Sequence, residues 1–256
     1  MAAVAGRRRL IGHLLDERQP ADARAAYFAF YHPTERTRLV TTPAGTKRAD
    51  GYIAFSRTGM DLFRPLLTMR LPADLEQATA LIYKAFQPET TASASSMQAV
   101  LLHVPTSYMP LIRACFTIQR EEQLLTMSLD PNSFEPVINV LVTQETGTSG
   151  WPRFVIRNRS GENEVLAAAS VNWLYPHFAD IAVNTQTNAK RRGYGRSVLA
   201  ALVNHLLQAG IRPLYTVRTD NDASVRLARG LGFHNTGDRS WLLEATLKAS
   251  PVRAVK

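Results

Sequence analysis

Cysteine is almost absent from this chain: among 256 residues there is one, Cys115. A disulfide framework within the chain and a multi-cysteine zinc site are both excluded. Cys115 stands in the apolar run LIRACF and reads as a small buried hydrophobe. The six histidines show neither HxxxH nor HExxH spacing, so no metal is expected. No apolar run approaches the ~20 residues that cross a bilayer. The opening MAAVAGRRRLIGHLL has a basic cluster, but its apolar part is short and runs into Asp16, Glu17 and Arg18, a poor signal peptide. A cytoplasmic protein with no membrane partner is the expectation.

Several phosphate- and nucleic-acid-binding signatures are missing too. There is no GxxxxGK[ST] loop, and GYGRSV lacks the third glycine of a dinucleotide fingerprint. No zinc finger, aromatic RNP pattern or helix-turn-helix is legible, so nucleic acid is not an expected partner. The net charge of +9 still favours a polyanion, and a cofactor with several phosphates satisfies that. The 45% hydrophobic and 20% charged content is that of an ordinary globular chain, long enough for one large domain or two smaller ones.

What is present is an alternation of strand and helix patterns. ARAAYFAFY reads as a helix, DGYIAFSR and LLTMRLP as strands about a turn at Gly59, and LEQATALIYKAF (75–86) as a helix by its spacing. AVLLHVP, YMPLIRACF and QLLTMSL follow as strand, helix and strand. After a turn-rich connection over 130–150 the order recurs. WPRFVIRN (151–158), VLAAASVNW (165–173) and ADIAVNT (179–185) are strands, with a turn at SGEN (160–163). SVLAALVNHLLQAG (197–210) is a helix closed by glycine. PLYTVRT (213–219), ASVRLARGLGF (223–233) and WLLEATL (241–247) are strand, helix and strand. The two ends, LLHVP…LIRACF…QLLTMSL and LYTVR…RLARGLGF…WLLEATL, run in parallel. Order of this kind also arises by chance in αβ proteins, but a duplicated unit is the reading adopted, with halves 1–135 and 136–256.

The halves differ at one place. LLTMRLP runs almost directly into its helix, whereas in the second half NAKRRGYGRSVL intervenes. Gly193 and Gly195 let backbone N–H groups approach an anion. The helix beginning there adds unpaired N–H donors and a positive dipole end. Lys190, Arg191, Arg192 and Arg196 add full charge. By itself this could be a solvated basic turn.

It does not stand alone. VNTQTNAKRRGYGRSVL resembles the acyl-CoA loop of the GNAT (Gcn5-related N-acetyltransferase) superfamily, Gln/Arg-x-x-Gly-x-Gly/Ala, here with Lys190 in first place. Thr185 resembles the threonine of the FR47-like branch. TDNDASVRLARGLGF resembles the second signature, matched at Asn221, Ser224, Leu231, Gly232 and Phe233. Together the signatures cover 179–233. The first half matches only in element order and resembles a degenerate copy.

The resemblance implies an α/β GNAT fold, a mixed and mostly antiparallel sheet flanked by helices, in tandem halves. It implies acetyl-CoA as cosubstrate and direct transfer of acetyl to an amine on an acceptor that it leaves unidentified. The backbone of Ile181, Ala182 and Val183 would pair with pantetheine. Lys190, Arg191, Arg192, Gly193, Tyr194, Gly195, Arg196 and Ser197 would hold the pyrophosphate. Asn221 would bond to the cofactor arm, with Arg226 or Arg229 near the adenosine. The position of the family's tyrosine acid is Ala228, which leaves Ser224 or water as the thiolate's donor. Asp180, at the start of its strand, is the candidate base, with a solvated strand-end aspartate as the alternative. His177 is a second candidate that also reads as a loop residue, and Glu164 reads as a solvated turn residue. Trp173 and Tyr175 read as core, with pocket lining as the alternative. Ala228 also favours the alternative, a non-catalytic acyl-CoA-binding or sensor protein.

Overall fold

The computed structural model describes residues 2–43, 48–87, 99–136, 139–158 and 163–249. The SGEN turn therefore lies largely outside the described residues. In chain order the elements are α1 (Ala2–Ile11), α2 (Pro20–Ala26), β1 (Thr37–Thr42), β2 (Gly51–Ser56), β3 (Leu66–Arg70), α3 (Leu75–Ala85), β4 (Ala99–Pro105), α4 (Met109–Cys115) and β5 (Phe116–Leu129). They continue with β6 (Thr143–Thr146), β7 (Pro152–Arg157), β8 (Val165–Leu174), β9 (Phe178–Thr185), α5 (Tyr194–Gln208), β10 (Arg212–Arg218), α6 (Asp222–Arg229) and β11 (Phe233–Leu247). None of the described helices is long and apolar enough to cross a membrane.

The chain forms two compact units. The first holds the described residues among 1–17, 24–123 and 239–256; the second holds 18–23 and 124–238. The final strand segment, 239–247, which the sequence places in the second half, therefore packs in the first unit.

In the first unit β1, β2 and β3 pair antiparallel in sequence, and β4 runs parallel to β3. On its other side β4 pairs with β11, Leu102 facing Leu243. The run GYIAFS is buried along its whole length, as a central strand covered on both faces should be. α3 turns Ala78, Leu81, Ile82 and Ala85 inward, residues spaced three and four apart. They meet Ile53, Leu67, Leu102 and Leu243 in one core.

In the second unit β6, β7, β8 and β9 pair antiparallel, β10 runs parallel to β9, and β10 pairs on its other side with β5. β8 alternates over Ala167, Ala169 and Val171, which are buried with less buried neighbours between them, until the register with β9 shifts between Val171 and Trp173. α5 covers that buried face with Val198, Leu199, Leu202, Val203 and Leu206. The helix ends as its sequence says: Gly210 takes a φ of 74°, its N–H reaches Leu207 O at 3.0 Å and that of Ile211 reaches Leu206 O at 2.9 Å. This is a Schellman cap.

Element for element, β1-β2-β3-α3-β4-α4-β5 repeats as β7-β8-β9-α5-β10-α6-β11. Each last strand, however, pairs with the other copy's parallel strand. Two sequence readings need correction here. The stretches just before QLLTMSL and WLLEATL, outside the strands read from the sequence, are strand, because β5 and β11 are continuous over 14 and 15 residues. Their polar stretches, TIQREEQ and HNTGDRS, bury little and so carry no apolar alternation. β6 likewise lies inside the expected connection; it is a polar edge strand, TQET.

Candidate active site

β9 and β10 are in register from Phe178 and Arg212 to Ile181 and Tyr215, and no further. Beyond that point β9 stays paired with β8 through Thr185, and β10 stays paired with β5 through Arg218. The two strands therefore part. Ala182 and Val183 turn the β10 side of their backbone to an opening where an extended chain could add as a strand.

The loop after β9 aims at this opening. A 3-10 turn, Thr187–Ala189, is anchored by buried Ala189. Arg191 then takes a φ of 63° and Gly193 one of 78°, both left-handed. α5 starts at Tyr194 with no side-chain cap on its N-terminus. The first helical bond runs from Ser197 N–H to Gly193 O at 3.0 Å. The Ser197 amide is thus committed to the helix, and the donors before it are the ones left for an anion. Lys190, Arg191, Arg192 and Arg196 are exposed around them.

The two glycines do different work. A Cβ on Gly193 would meet nothing within 4 Å, so its backbone angle is what needs glycine. A Cβ on Gly195 would lie 2.8 Å from Thr185 Oγ1. Gly195 is thus needed for the close approach of α5 to the end of β9, and Thr185 is its contact.

Asp180 is 1% exposed. Its Oδ2 accepts from Asn172 Nδ2 at 2.9 Å and its Oδ1 from Thr216 Oγ1 at 2.6 Å. Such a carboxylate meets a ligand through Thr216 more readily than directly. Asn221 caps α6, its Oδ1 accepting the Ser224 N–H at 3.2 Å. Only its Nδ2 can then donate to a ligand. Ala228 is fully buried in the core, and Arg226 and Arg229 are exposed on α6.

One group escaped the sequence reading. Tyr215, at the last paired position before the strands part, lies near enough to Ser224 for that side chain to influence its phenol. Burial pushes its phenol up from 10.0; the charge of Asp180 adds to that and Ser224 opposes it. Tyr215 packs edge-on to Phe233, and a strand aromatic reads as core from sequence. The signal that could have found it is a tyrosine in the strand just ahead of a helix carrying alanine at the expected tyrosine.

The remaining candidates sit apart from this cluster. Glu164 accepts from Gln186 Nε2 at 2.8 Å on the surface. His177 lies in the turn before β9, its carbonyl accepting the Arg212 N–H at 3.1 Å. Trp173 and Tyr175 are buried and stacked on each other. Among the described residues no group of three or more metal-ligating side chains occurs.

The first unit reproduces the parting strands without the cradle. β3 and β4 are in register only from Leu66 and Leu101 to Thr68 and His103. At the start of α3 the Asp74 carboxylate accepts the Gln77 N–H at 2.8 Å, and Glu76 follows in the first turn. Carboxylates occupy the place an anion would take.

A family model described as GNAT acetyltransferase matches residues 154–240. A tandem GNAT protein from the clavulanic acid biosynthesis pathway aligns over 97% of this chain and 95% of its own, at 10% identity and a TM-score of 0.66. The chain is built from two GNAT-like halves. A Drosophila protein aligns over 94% of this chain and 96% of its own, at 14% identity and a TM-score of 0.65. A GCN5-related N-acetyltransferase from Kribbella flavida covers 87% and 95%, at 16% identity and a TM-score of 0.59. No curated protein sequence matches the chain. Fold and family match together support an acetyl-transfer function. The half that matches the family model is the one with the uncapped, basic helix start; the other half carries Asp74 at its helix start.

Proposed function

We propose that the second half binds acetyl-CoA and transfers its acetyl group directly to an amine. The observation that carries this reading is the uncapped start of α5, ringed by exposed cations, set beside strands that part after Ile181 and Tyr215. Backbone donors from Arg191 to Arg196, together with Lys190, Arg191, Arg192 and Arg196, hold the pyrophosphate. Ile181, Ala182 and Val183 hold the pantetheine arm, and Asn221 Nδ2 donates to it. Acetyl-CoA supplies the activated thioester.

The acceptor must be neutral to attack, so a proton has to leave it. Thr216 Oγ takes that proton as its own hydrogen passes to Asp180 Oδ1, 2.6 Å away. Asn172 holds the other carboxylate oxygen and fixes its orientation. On the leaving side, Ser224 donates to the thiolate in place of the tyrosine absent at Ala228. Tyr215, kept protonated by burial, lies near Ser224 and positions it. A thiol pKa near ~8.5 makes this a modest demand on the donor.

Asp180→Asn and Thr216→Val should each cut thiol release from acetyl-CoA by about 10²-fold or more, with cofactor affinity kept within threefold. If both variants keep the wild-type rate, the proton route is wrong. The alternative, a non-catalytic acyl-CoA binder, is favoured by Ala228. It predicts tight acetyl-CoA binding with no thiol release for any amine.

A further inference from the structure

We infer that the acceptor amine carries a carboxylate and that Arg153 reads it. This rests on the acyltransferase reading of the second half and adds the substrate class to it.

A cavity of about 320 Å³ opens among β7, β8 and β9, with Arg153, Ala168, Ser170, Ala182, Asn184 and Gln186 in its lining. Arg153 pairs with Ser170 on β8, and Ser170 pairs with Ala182 on β9. Directly paired residues point to one face, so these three form a row across the sheet. The adjoining row, Phe154, Ala169 and Val183, points to the opposite face and into the core under α5. Two strand spacings of ~4.8 Å set the Cα atoms of Arg153 and Ala182 about 10 Å apart. Between them the floor is low: Ser170 contributes a hydroxymethyl, Ala168 and Ala182 only methyls. A short acceptor can lie flat there, one end at Ala182 and the other under the guanidinium.

The two ends of this track differ in charge. Asp180, two residues before Ala182 on the same strand and therefore on the same face, carries the carboxylate held by Asn172 and Thr216. At the other end Arg153 is the one charged residue among the described lining. Its salt-bridge partner Glu145 lies at 4.0 Å and is held more tightly by Arg157, whose Nε and Nη2 reach Glu145 Oε1 at 2.9 and 2.7 Å. Arg153 is therefore the more weakly paired of the two arginines, and its planar fork suits a carboxylate. Asn184 and Gln186 add neutral amides beyond Ala182, on the side away from Asp180; Gln186 already donates to Glu164. The track is complementary to a small molecule with an amine at one end and a carboxylate at the other, and a second ammonium at Arg153 would be repelled.

The test uses the full chain loaded with free coenzyme A. N-acetylglycine, N-acetyl-β-alanine and N-acetyl-γ-aminobutyrate stand in for acetylated acceptors, each beside its primary amide, and binding is read by calorimetry. At least one acid should bind tenfold or more tighter than its amide. Arg153→Gln should erase that preference and leave coenzyme A affinity unchanged. Equal affinities for acid and amide, no binding of either up to 10 mM (roughly the weakest affinity a built site would show), or a preference that survives Arg153→Gln would overturn the inference while the acyltransferase reading stands. Failure of wild type to bind coenzyme A would remove both.

Discussion

At the scale of single residues, the site depends on positions whose chemistry is set by one neighbour. Gly193 and Gly195 look alike in the motif and should fail differently. Gly193→Ala forces a side chain into a φ of 78° and should cost about 1–2 kcal/mol of stability in thermal unfolding. Gly195→Ala pushes on Thr185 Oγ1, so pairing it with Thr185→Ala should restore much of the loss. Equal additivity in that double mutant would mean the contact is not what glycine serves. Elsewhere, His32 is buried, its Nδ1 2.7 Å from Thr37 Oγ1. Burial, then the charges of Arg36 and Arg8, push it from 6.5 down to about 4. The unfolded chain takes up the proton first, so the stability that neutral His32 contributes is present above pH 6.5 and drains as pH falls towards about 4. The thermal midpoint should fall across that window, and less steeply in His32→Asn; an identical slope would dissociate His32 from the acid sensitivity.

At the scale of elements, the helix starts distinguish the two halves. α5 begins without a cap among exposed cations, whereas α3 begins on Asp74. Asp74→Ala should lower stability by about 1 kcal/mol and confer no coenzyme A binding on the first half. Both helices were legible in the sequence because their apolar residues recur three and four apart, and α5 also announces its end at Gly210. β2, β3, β8 and β9 were legible as apolar or alternating runs. β6 and the polar stretches of β5 and β11 were not, since TQET, TIQREEQ and HNTGDRS bury too little to show a period. The candidate loop was readable because glycine spacing and charge sit in consecutive residues. The partners of Asp180 were not: Asn172 and Thr216 come from different strands, 8 and 36 residues away in the chain.

At the scale of the whole molecule, a duplicated order of elements does not mean that each copy folds from its own residues. The repeat was legible from LLHVP and LYTVR with the helices after them, but strand pairing is non-local and left no trace in the sequence. β11 supplies Leu243 and Ala245 to the core of the first unit, at 0% and 2% exposure. Leu243→Ala should therefore cost about 2–5 kcal/mol and speed amide exchange at Ile53 in β2 and Leu102 in β4, more than a hundred residues away in sequence. Unchanged exchange at those amides would contradict the division into units.

The most direct test of the central claim is acetyl-CoA binding by calorimetry, for wild type and for Arg191→Ser/Arg192→Ser at the start of α5. Wild type should bind, with an affinity that falls as salt rises. The variant should bind at least tenfold more weakly and depend less on salt. A wild type that does not bind, or a variant that binds as wild type does, would contradict the assignment of this helix start as the acyl-CoA site.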